Sequence, residues 1–221
     1  MQASVHQREI AVPPLGLSGT LNVPDNPRAL VVFVHGSGSS RLSPRNRAVA
    51  YGLNDHGMAT LLFDLLTVDE EAERKNVFDI GLLVERLIQV IAWIDRDPKL
   101  ARLPLGLFGA STGAAAALVA AGKLKERIGA IVSRGGRPDL AGSALGRVTS
   151  PTLLIVGGND FGVIELNEEA LKELRGPKAI EIVQSATHLF PEPGALESVI
   201  AYAADWFETY LVAEGSNWPR R

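Results

Sequence analysis

The chain has no cysteine among its 221 residues. That absence excludes disulfides, thiolate metal sites and a thiol nucleophile, and it suits a reducing compartment. No block of like charge occurs either, and the formal net charge is only -3, which argues against a nucleic-acid or anionic-membrane partner. No apolar run approaches the roughly 18–20 residues needed to span a bilayer. The opening residues 1–9 lack the apolar core of a signal peptide. The sequence has no internal repeat, no low-complexity segment and no linker, so the expectation is one cytoplasmic domain covering 1–221, with 214–221 a loose tail. Hydrophobic residues do make up 46% of the chain, enough for a sizeable core.

The apolar pattern alternates between two kinds of segment. Ala29 to Val34 is a continuous run rather than an alternating one, and continuity marks a strand covered on both faces, as in a parallel sheet. Similar runs occur at 59–63, 105–108, 130–132, 152–156 and 180–183. Helical patterns lie between them. Ser43-Pro44 and Gly57 bracket a helix over about 44–56. Ile80, Leu83, Val84, Leu87, Ile91 and Ile94 recur at three- and four-residue steps, giving an amphipathic helix before Pro98. Further helices are expected from Thr112 to about Gly122, over 163–174, and along the stripe Leu196 to Tyr210. Strands alternating with helices give βαβ units with right-handed crossovers. The expected fold is α/β: a mostly parallel sheet of about seven or eight strands between helical layers, without a large cap. Residues 5–12 and 15–23, around Pro13-Pro14, read as an antiparallel pair at one edge.

Gly109-Ala110-Ser111-Thr112-Gly113 stands between a strand and an Ala-rich helix. The order fits the G-x-S-x-G nucleophile elbow, a strained turn that lifts a serine hydroxyl above the sheet edge. Side chains at 109 or 113 would collide where strand and helix pass closely. An attacking serine needs a base, and the base needs an orienting carboxylate. Of the four histidines, His188 alone follows the last strand and precedes the last helix. Asp160, after the preceding strand, completes the chain order Ser111, Asp160, His188, which is the order of α/β-hydrolases. Asp139, after the strand at 130–132, is the rival acid. His35-Gly36-Ser37-Gly38 ends the first central strand, and backbone N–H groups of Ser37 and Thr112 are the expected oxyanion donors. His35 itself reads as structural, hydrogen-bonding to nearby loop backbone, and His56 as a solvated residue at a helix end. Asp69-Glu70-Glu71-Glu73 reads as a solvated loop that could rim the pocket. Arg134 suits either a surface ion pair or an anionic substrate. Scattered histidines give no metal-ligand spacing. The glycines at 36–38 lack the residues of a phosphate-binding loop, so no cofactor or nucleotide is expected.

With HGSG, GASTG, GGND and ATH in that order, the chain resembles the dienelactone-hydrolase-like group of α/β-hydrolases over residues 5–212. The resemblance implies a lidless hydrolase with a small-molecule ester or lactone as substrate. The name-giving dienelactone hydrolases use cysteine where this chain has Ser111, a departure that points to ester chemistry generally. An acyltransferase or thioesterase using the same residues, or a non-catalytic ligand-binding module, would share the fold. The sequence leaves the oligomeric state open.

Overall fold

The continuous apolar runs form the middle of a single sheet. The computed structural model describes residues 4–213, so the expected loose tail at 214–221 lies outside the described residues. Eight strands pair in the order β1-β2-β4-β3-β5-β6-β7-β8. They are β1 (Val5–Val12), β2 (Leu17–Pro24), β3 (Ala29–Val34), β4 (Met58–Phe63), β5 (Leu105–Ala110), β6 (Ala130–Arg134), β7 (Thr152–Gly157) and β8 (Lys178–Val183). β1 and β2 form the expected antiparallel edge, β2 meets β4 antiparallel, and β4 through β8 run parallel. Every residue of β3, β4, β5, β6 and β7 is buried. Each large aliphatic or Phe side chain so enclosed contributes about 1.5–3 kcal/mol by leaving water.

The described residues form six α-helices, all but the short α2 packed on the sheet or its helical layers: α1 (Pro44–Asp55), α2 (Val68–Ala72), α3 (Ile80–Ile94), α4 (Thr112–Leu124), α5 (Phe161–Glu173) and α6 (Ala195–Phe207). Alternate strand residues face opposite ways, so two cores form. Leu30, Val32 and Val34 join Val84, Leu87 and Ala115–Leu118 under α3 and α4. Val31 and Phe33 join Val49, Leu53, Val199 and Phe207 under α1 and α6. No helix among the described residues is long and apolar enough to cross a membrane.

Three helix starts follow the sequence rules closely. The side chains of Ser43, Thr67 and Asp79 accept hydrogen bonds from the amides of Asn46, Glu70 and Leu82, capping α1, α2 and α3. α2 corrects the expectation of a loop through Asp69–Glu73. Thr67 and Glu70 form a reciprocal capping box, which organises a short helix from an acidic run. Between β6 and β7 the chain forms only 3-10 turns (Pro138–Arg147), and Glu208–Ala213 extends α6 as a π-helical segment.

The strand order turns at β3 and β5. Chains depart from these neighbours to opposite sides, which opens a crevice beyond their carboxyl ends. Gly36 and Ser111 lie at that crevice.

Candidate active site

β5 ends at Ala110, and Ser111 takes φ 51° and ψ -125° before α4 begins. A positive φ is costly for a side chain with a Cβ and recurs where function requires it. The elbow holds because its glycines admit close backbone contact. A Cβ on Gly109 would lie 2.5 Å from Ala114 Cα, and one on Gly113 would lie 2.1 Å from the Val34 carbonyl oxygen. The Ser111 amide donates to the Arg134 carbonyl at 3.4 Å, and the Ser111 carbonyl accepts from the Arg137 amide at 3.0 Å. The turn after β6 therefore grips the elbow on both sides.

His188 and Asp160 meet across two loops. His188 Nδ1 lies 2.6 Å from Asp160 Oδ2, with the imidazole side chain 39% exposed and the carboxylate 16%. A charge-assisted bond this short fixes the ring and makes Nδ1 the donor, leaving Nε2 free to accept. Asp160 is the N-cap residue of α5, yet its side chain caps no amide. An Asp here ordinarily bonds the first turn of its helix. Its carboxylate is turned to the histidine instead.

The two loops are laced together by backbone. The amides of Gly158 and Asn159 donate to the carbonyls of Val183 and Ala186 at 2.8 and 2.9 Å, and Asn159 Nδ2 donates to the Ser185 carbonyl at 3.0 Å. Thr187 donates through its amide and its hydroxyl to Glu192 Oε1, and these bonds lower the Glu192 pKa. Gly135 ties this assembly to the serine. A Cβ there would lie 3.1 Å from the His188 carbonyl oxygen and 3.6 Å from its Cε1. His188 and Ser111 thus flank the same turn, 134–137. The Ser111 hydroxyl makes no hydrogen bond among the described residues, and hydroxyl–imidazole contacts of this kind often tighten only with substrate present.

Asp139 lies elsewhere. Both its oxygens accept from Arg137, at 2.8 and 2.7 Å. His35 is pinned by backbone at both nitrogens: Nδ1 is 3.0 Å from the Gly36 carbonyl, and Nε2 accepts from the Leu65 amide at 3.0 Å. That pairing requires the neutral ring, and burial holds its pKa below the usual histidine value. His56 caps the end of α1 and faces Glu208 at 3.1 Å.

The Ser37 amide donates to Thr112 Oγ1 at 3.0 Å. The two residues expected as oxyanion donors are therefore adjacent, but one donor is engaged by the other's side chain, which sequence reasoning did not foresee. A small recess opens beside Ser37, lined by His35–Ser39, Asp64–Leu66, Glu71, Val77 and Leu83. Gly36, in its wall, packs against the elbow: a Cβ there would stand 2.7 Å from Ser111 Cβ. Arg41 binds Asp64 at 2.6 Å and braces the wall between the loops after β3 and β4.

A serine on a strained strand–helix turn at the crevice, with an Asp–His pair in the loops after β7 and β8, is the arrangement of an α/β-hydrolase. No family model matches the sequence. Among solved structures the chain is similar to a dienelactone hydrolase from Anabaena variabilis, at 50% identity and a TM-score of 0.90, covering 96% of this chain and 100% of that one. The chain belongs to the dienelactone-hydrolase-like family of α/β-hydrolases. Est1E from Butyrivibrio proteoclasticus shares the fold at 16% identity and a TM-score of 0.77, covering 92% of this chain and 98% of that one. Curated proteins of Mycobacterium tuberculosis, provisionally named phosphoribosyl transferases, are 56% identical over 207 residues, covering 94% of this chain. The chain spans about half the length of these curated relatives, 47%.

Proposed function

We propose that the protein is a serine hydrolase that cleaves a carboxylic ester, lactone or related acyl bond. The observation that carries this reading is the 2.6 Å His188–Asp160 contact placed against the turn that holds Ser111 at positive φ. Ser111 Oγ attacks the acyl carbonyl while His188 Nε2 takes its proton, and Asp160 stabilises the imidazolium without itself becoming protonated. The developing oxyanion accepts from the amides of Thr112, at the start of α4, and Ser37. Substrate oxygen replaces Thr112 Oγ1 as the acceptor for the Ser37 amide. The imidazolium then protonates the departing alkoxide, and an acyl group remains on Ser111. Water, deprotonated by His188, attacks that acyl-enzyme and releases the acid. Each step conserves the proton on one imidazole, so no cofactor or metal enters.

The recess beside Gly36 is small, and between β6 and β7 the chain forms 3-10 turns rather than a cap. Structurally similar proteins include a dienelactone hydrolase and an esterase, which favours water over another acceptor. A fluorophosphonate probe tests the reading. Stoichiometric labelling at Ser111, lost in Ser111→Ala, accompanied by turnover of p-nitrophenyl acetate, supports it. Labelling without release of acid points to an acyltransferase, and folded protein that takes up no label points to a binding module.

A further inference from the structure

Arg134 is the last residue of β6 and pairs with Ala110 across the sheet, one residue before the nucleophile. It is 7% exposed, and its Nη1 is fully buried without a hydrogen-bond partner. No carboxylate lies within ion-pair distance among the described residues, whereas Arg41, Arg86, Arg127 and Arg137 each meet one. Asp139, the nearest acid in sequence, is held by Arg137. Arg134 therefore matches neither half of the sequence-based alternative of a surface ion pair: it is neither at the surface nor paired.

A second arginine compounds the anomaly. Arg134 lies on the same face of β6 as Ala130 and Val132, the face covered by α1 and α6. Arg45 stands in the first turn of α1 with its own Nε buried and unpartnered. Its charge is near enough to add to the effect of burial, which pushes the Arg134 pKa down to about 10. A cation in a helix's first turn also opposes the helix dipole. A buried unpaired guanidinium, a half-buried unpaired one and the start of α1 are unfavourable together unless an anion joins them.

We propose that Arg134 and Arg45, at the start of α1, form a phosphate subsite, and that the substrate is an ester bearing a phosphate monoester away from its scissile acyl bond. This substrate class rests on the serine-hydrolase reading; the anion site does not. A carboxylate would neutralise one of the two fixed charges. A phosphate monoester carries about -1.5 to -2 at pH 7 and offers three acceptor oxygens to forked guanidinium donors.

Inorganic phosphate is the direct probe, titrated at constant ionic strength into the wild-type protein and Ser111→Ala. Melting temperature and calorimetry should both report binding, with acetate far weaker. Arg134→Met should melt higher than the wild type without ligand, because an apolar chain replaces an unpaired buried charge, and it should lose the response to phosphate. A merely structural arginine would give a lower melting temperature. Arg45→Gln, a change at a half-buried position, should weaken phosphate at least about tenfold, the value of one charge-assisted bond. For the substrate, 3-acetoxypropyl phosphate should exceed propyl acetate in kcat/KM by at least about tenfold, and Arg45→Gln should shrink that preference. A wild-type protein indifferent to phosphate overturns the subsite, even if Ser111 labels. Phosphate binding with no preference between the esters overturns the substrate assignment. Phosphate binding without Ser111 labelling leaves the subsite standing and removes the hydrolase reading.

Discussion

His35 and His188 stand at the same edge of one sheet and are used in opposite ways. The His35 ring has both nitrogens bound to backbone, Gly36 on one side and Leu65 on the other, so it serves as a fixed neutral brace between the loops after β3 and β4. His188 is bound at one nitrogen only, by a carboxylate, and is partly open to solvent. The lesson is that a histidine can exchange protons only where the fold leaves one nitrogen uncommitted. His35 has no free lone pair to offer a substrate.

The comparison breaks most sharply at His188. His188→Gln should lower kcat for p-nitrophenyl acetate by about 10⁴-fold or more with little change in melting temperature, since it removes a proton acceptor rather than packing. A fall of less than tenfold would remove the base from His188. Asp160→Asn comes next, with a loss on the order of 10³–10⁴ in kcat through the wrong tautomer. Asp139→Asn should leave kcat within about threefold, since Asp139 binds only Arg137. The reverse pattern in kinetics would exchange the two acids.

His35 should respond in stability instead. His35→Ala strands the Leu65 amide and should cost about 1–3 kcal/mol in a denaturant titration. The pH dependence has a definite sign. An unfolded histidine takes up a proton near pH 6.5, while the folded ring resists it. The unfolded chain therefore binds more protons below that pH, and stability should fall as pH drops through 6.5 toward the lowered folded value. His35→Ala should flatten that slope. Only a small effect is expected at Thr112. Thr112→Val removes the hydroxyl that occupies the Ser37 amide, so kcat should change by less than about tenfold, against the 10²–10³-fold typical of losing an oxyanion donor.

Local signals made most of this molecule legible. Ser111 is readable because strand, turn and helix are contiguous and Gly109 is required by contact with α4 in the same unit, although Gly113 is required by the backbone of β3. The strands could be read from continuous apolarity because both their faces are covered. Asp160 and His188 are further apart in sequence, yet each follows a strand that must end at the same edge. The chain between Thr67 and Glu73 was misjudged because acidic residues suggested solvation, although the Thr67/Glu70 pair carried the signal for a capped helix. Arg134 was not legible at all in this sense. Its burial depends on how α1 and α6 close over β6, and no local pattern encodes that packing. The Ser37–Thr112 bond likewise joins residues 75 positions apart.

The helix starts carry a further consequence. α1, α2 and α3 each begin on a side chain that secures their first turn, whereas α4 begins on Ser111 and α5 on Asp160, and neither secures its own. A residue in that position can serve its helix or the chemistry, and in the proposed mechanism two of them are given over to the chemistry. The opening turn of α5, with Phe161 70% exposed, has neither a side-chain cap nor a packed ring to hold it. Its amides should exchange with deuterium well ahead of those opening α1 and α3, so a weakly secured turn carries the carboxylate bound to the imidazole.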